Sequence, residues 1–101
     1  MDKYTIYCTE EQIKKALDLG APIDSRWIEK DLNLTAEQMT GWLDEQGLLI
    51  VIDKNDNYYT WEVYRNIYLI DMSKTKSIVS RKEAILSAID VALEYLSNNK
   101  K

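Results

Sequence analysis

There is no histidine in this chain of 101 residues. That removes the usual general base near neutral pH, the commonest metal-binding ring and the usual proton switch. A single cysteine, Cys8, excludes an internal disulfide and, without histidine, a Cys/His zinc cluster. Cys8 also lacks an imidazole to activate it as a nucleophile, so it reads as a small core residue. The three glycines, at positions 20, 41 and 47, are too scattered for a phosphate-cradling loop. No apolar run approaches the roughly 20 residues of a membrane span; the longest is strand-like and covers 48–52. The opening Met1-Asp2-Lys3-Tyr4 has no basic-then-apolar secretory pattern. These absences predict a cytoplasmic protein with no membrane contact and no cofactor.

Phenylalanine is missing too, and the aromatic load falls on seven tyrosines and three tryptophans. Length and hydrophobic content fit one domain over 1–101 with a core that needs no staples, ending in a frayed tail at 97–101. The net charge of −4 is unevenly spread. Residues 1–62 hold thirteen acids against six bases, and 63–101 hold four against seven. Such a dipolar chain suits self-association or a basic partner, although charges on solvated helix faces explain it more simply.

Residues 47–64 organise the rest. Two apolar runs flank Lys54-Asn55-Asp56-Asn57, which reads as a β-hairpin. In its second strand Tyr59, Trp61 and Val63 share the face better suited to the core, while Tyr58, Thr60, Glu62 and Tyr64 share the other. The first strand and a third at 67–72 are apolar on both faces. Strands of that kind usually have both faces covered, by helices or by a second subunit.

Three helices share one start signal. Thr9 with Gln12, Thr35 with Gln38 and Ser80 with Glu83 stand at capping-box spacing. Cys8 with Ile13, Leu34 with Met39 and Val79 with Ala84 stand at staple spacing. Gly20 and Gly47 suit the left-handed residue beyond a helix end. The expected buried stripes are Ile13, Ala16 and Leu17; Met39, Trp42 and Leu43; and Ile85, Ala88, Ile89, Ala92 and Leu96 in a helix from Arg81 to about Leu96. Residues 4–8 read as a short strand, either joining the sheet as a fourth member or standing apart from it. Residues 25–32 read either as a short helix or as an extended link.

Two chemistries are imitated. Asp53, Asn55 and Asn57 place oxygens at alternate positions, as a calcium loop does, but Tyr58 and Tyr64 stand where glycine and a bidentate glutamate are required. Glu62 and Asp71 are the acids closest to a carboxylate pair, if neighbouring strands bring them together. The aromatics are more suggestive. Tyr58, Tyr59, Trp61, Tyr64 and Tyr68 crowd two adjacent strands, and Tyr/Trp-rich surfaces typify binding sites.

Two resemblances follow from these motifs. Residues 25–59 resemble a winged-helix DNA-binding unit, with 26–32 as first helix, 35–46 as recognition helix and 48–59 as wing. That resemblance implies a nucleic-acid binder, yet the recognition helix carries Glu37, Asp44 and Glu45 and no base, so it would repel phosphate. The run Leu34-Thr-Ala-Glu-Gln-Met-Thr-Gly-Trp-Leu43, the Tyr/Trp hairpin and the helix from Ser80 to Leu96 together resemble small uncharacterised proteins of bacteriophages and Bacteroidetes mobile elements. No activity comes with that group. The expectation is an α+β fold: an antiparallel three- to four-stranded β-meander packed with two to three helices, the C-terminal one long. The expected function is a non-enzymatic interaction or regulatory protein. Its partner is another protein or a second copy, met through Tyr58, Thr60, Glu62, Tyr64 and Tyr68. A winged-helix-like nucleic-acid binder is the alternative, with a basic face of Arg65, Lys74, Lys76, Arg81 and Lys82.

Overall fold

The computed structural model describes residues 6–21, 34–73 and 80–99. Within them the order is α1 (Glu10–Asp18), α2 (Ala36–Glu45), β1 (Leu48–Lys54), β2 (Tyr59–Arg65), β3 (Tyr68–Met72) and α3 (Arg81–Asn99). The strands form an antiparallel meander in the order β1-β2-β3. Helices α2 and α3 cover one face of it, and α1 packs on α3. This is the α+β class, with the long helix at the C-terminal end. The expectations for 25–32 and for Val79, Lys74 and Lys76 lie outside the described residues.

Local sequence sets the helix ends. The Thr9 and Thr35 hydroxyls accept from the backbone N–H groups of Gln12 and Gln38. The two glutamines reach back to the threonine N–H groups, completing both capping boxes. Ser80 likewise accepts from the Glu83 N–H at 3.0 Å. Gly20 and Gly47, at φ 92° and 87°, take the left-handed conformation just past α1 and α2, where a Cβ would be strained. Helix α3 reaches into the segment expected as a tail. It runs on through Ser97 and Asn98 to Asn99, whose side-chain amide donates to the Tyr95 carbonyl at 2.8 Å.

The described part of the N-terminal run stands apart from the sheet. Residues 6–8 do not join the meander. Tyr7 bridges to Thr35, with the Cys8 N–H donating to the Leu34 carbonyl and the Ala36 N–H to the Ile6 carbonyl. The segment pairs with the entry to α2 and ties the starts of α1 and α2 together.

The core lies between the helices and the inner face of the sheet. Ala16, Met39, Leu43, Leu48, Trp61, Val63, Ala84, Ile85, Ala88, Ile89, Ala92 and Leu93 are all buried in it. Tyr59, Ile50, Ile52 and Leu96 pack against it in part. The alanines of α3 let its backbone lie close to the sheet. Leu93, absent from the stripe expected of that helix, is fully buried.

One buried polar side chain joins the first helix to the last. Gln12, only 2% exposed, accepts from the Thr9 N–H through Oε1. Its Nε2 donates to the Leu86 carbonyl at 2.9 Å and to Asp90 Oδ1 at 2.8 Å. The capping residue of α1 is therefore also a clasp on α3.

Cys8 is buried nearby, and burial pushes its thiol up to about 12, with the Asp90 carboxylate adding to the shift. A thiol held protonated is a poor nucleophile. Iodoacetamide is therefore expected to leave Cys8 unlabelled in the native protein and to label it fully in denaturant; equal native and denatured rates would contradict this. The folded state holds the thiol proton more tightly than the unfolded chain, so this contribution to stability is complete below pH 9 and is lost as pH rises towards 12.

Candidate protein-interaction face

The register of the meander sorts its side chains into two faces. On the inner face Leu48 pairs with Arg65, Ile50 with Val63, Ile52 with Trp61 and Lys54 with Tyr59. The outer face consists of three rows. Leu49, Tyr64 and Leu69 make one; Val51, Glu62 and Met72 make the next; Asp53 and Thr60 make the third. Between the first two rows β3 has a bulge, because its pairing with β2 skips Ile70. The extra residue packs against the core. Without it, alternation would turn Met72 inward; with it, Met72 stands beside Glu62.

None of the described helices packs on this outer face. Leu49 and Leu69 are each 48% exposed and Met72 is 45% exposed, which is unusual for three large apolar side chains on one sheet face. Val51, Thr60, Glu62 and Tyr64 are half-buried by their neighbours in the sheet. The Tyr64 hydroxyl donates to Glu62 Oε2 at 2.6 Å. This bond, followed by desolvation and by the negative charges of Glu62 and Asp53, pushes the Tyr64 phenol above its usual range. Tyr64 therefore stays protonated and donating at neutral pH, with Glu62 as its acceptor.

The expectation of strands covered on both faces does not hold for the described helices, which cover the inner face alone. Of the five residues expected to meet a partner, Thr60, Glu62 and Tyr64 share the outer face. Tyr58 belongs to the turn, where its carbonyl accepts from the Asn55 N–H at 2.8 Å. That bond closes the hairpin through its Asn/Asp residues. Tyr68 pairs with Arg65, so the register assigns it to the other face at the sheet margin, where it is 71% exposed. The sequence reading passed over Leu49, Val51, Leu69 and Met72. Their signal was the two-sided apolar character of the first and third strands, which cannot say by itself which face stays open.

The remaining candidates do not assemble. Asp71 pairs with Val63, and Glu62 pairs with Met72, so the two acids point to opposite faces. Asp71 instead accepts from the Met72 N–H. Among the described residues no three cysteine or acidic side chains gather as a metal site would require. Glu37, Asp44 and Glu45 are all exposed on α2, so the would-be recognition helix presents acids to solvent. Arg65 of the expected basic face is engaged elsewhere. It donates to the Tyr95 hydroxyl at 2.9 Å, beside a groove of about 210 Å³ lined by Leu19, Trp42, Gln46 and Leu96 among others. No described helix is long and apolar enough to cross a membrane. Comparison with protein-family models, with curated proteins and with solved structures finds no match to this chain.

Proposed function

We propose that the protein is a non-enzymatic interaction domain that holds another protein against the outer face of its sheet. One observation carries the reading: Leu49, Leu69 and Met72 share that face, on the two strands that flank Tyr64 and Glu62, each about half exposed, with no described helix over them. Exposed aliphatic side chains on either side of a tyrosine suit a protein interface. Its scaffold is rigid, because the inner face of the same strands is packed into the core.

The test is affinity capture from the cells that make the protein, with the wild type and Leu69→Asp as parallel baits. Leu69 is a surface position, so the variant should keep its fold, checked by circular dichroism. A partner retained by the wild type and released by Leu69→Asp supports the proposal. Identical captured material on both baits would sink it. A second copy of the chain is one candidate partner, and sedimentation velocity of the two proteins reads it directly.

A further inference from the structure

We infer that the outer sheet face accepts a partner segment in which an arginine or lysine is set between aliphatic residues, the cation meeting Glu62. This rests on the reading of that face as an interface and goes further by fixing the chemistry of its occupant. Glu62 lies at mid-length of the central strand, with Val51 on one side, Met72 on the other, and Tyr64 two residues along on the same face. It is half-buried and has no ion pair among the described residues, whose salt bridge is Lys14–Glu10, far along the chain. One of its oxygens accepts from Tyr64, which leaves the other free.

Asp53 is the second acid of the face, close enough to bear on the Tyr64 phenol. Among the described residues the three rows contain no lysine or arginine: Lys54 and Arg65 both fall on the inner register. The face is thus apolar with a fixed negative centre. Any occupant that excludes water from Glu62 must replace its hydration, and a guanidinium or ammonium does so with a charge-assisted hydrogen bond.

The same charge argues against a second copy. In a two-fold face-to-face contact each patch meets itself, so Glu62 at the centre would face its own equivalent. Area points the same way. Three strands spaced about 4.8 Å apart, over roughly five residues each, cover on the order of 250 Å² in plan. A stable dimer buries roughly 800 Å² a side. A patch of this size suits one segment of a larger partner.

Random peptides displayed on yeast, selected for binding to the wild-type protein, test the inference. The selected peptides are then measured on Glu62→Gln and on Leu69→Asp. Glu62→Gln keeps the size of the side chain and an acceptor for Tyr64 and removes only the charge. The expected result is a set of peptides with a lysine or arginine flanked by apolar residues. Their affinity should fall roughly tenfold or more on Glu62→Gln and weaken as salt rises. Peptides that lose Leu69→Asp but bind Glu62→Gln as tightly as wild type would overturn the inference and leave the interaction face standing. Peptides that ignore both substitutions, or no enrichment at all, would overturn both.

Discussion

Leu93→Ala is expected to destabilise the protein by about 3 kcal/mol, within the range for leucine truncation in a packed core. Leu93 is 0% exposed on the face of α3 that meets the sheet and the other helices, so the lost methyls leave a cavity walled on all sides. The neighbouring alanines, Ala88 and Ala92, are too small to swing in and fill it. For a domain of this size such a loss lowers the melting temperature by on the order of 15 °C. Thermal and urea unfolding of the two proteins check it. Leu96→Ala, one turn further on and only half-buried, should cost clearly less. Equal losses at the two positions would show that α3 packs in a different register.

Gln12→Glu is the second large effect, and its size depends on pH. The substitution keeps the shape of the side chain and the acceptor for the Thr9 N–H. It removes the amide donors to the Leu86 carbonyl and Asp90 Oδ1 and puts a carboxylate about 2.8 Å from another carboxylate. At neutral pH a cost of about 2 kcal/mol is expected from the lost bonds and like-charge repulsion. As pH falls through the carboxylate range, one proton shared by the pair restores a donor, so the variant should recover part of its deficit. Gln12→Leu separates the two causes: it also loses the bonds but gains no charge, so its deficit should stay flat with pH. Urea midpoints between pH 4 and pH 7 provide the measurement, and a Gln12→Glu deficit that does not shrink in acid would refute the pairing with Asp90.

How far these features could be read in advance depends on the span of the interaction. The capping boxes of Thr9 and Thr35 are written within four residues, and both are present. The alternation of Tyr59, Trp61 and Val63 is likewise local, and it sends Trp61 and Val63 into the core. Gln12 shows the limit: its capping role follows from its neighbours, but its bonds to Leu86 and Asp90 reach across 74 and 78 positions. Met72 shows another. Counting by twos along β3 assigns it the wrong face, because the bulge at Ile70 comes from packing and leaves no mark in the local pattern. Aromatic character alone groups Tyr68 with the open face, whereas pairing across the Asn66 turn places it opposite Arg65. Only the turn geometry fixes that.

The clasp between α1 and α3 also bears on the order of assembly. The meander pairs neighbouring stretches of chain and has short loops to close, whereas Gln12 must find a partner nearly three quarters of the sequence away. Docking of α1 is then a late event, after the sheet and α3 have met. Removing the clasp should leave the refolding rate almost unchanged and appear nearly whole as faster unfolding. Such a chain is expected to release its first helix before the rest gives way, and limited proteolysis that cuts within α1 faster in Gln12→Leu than in wild type checks it.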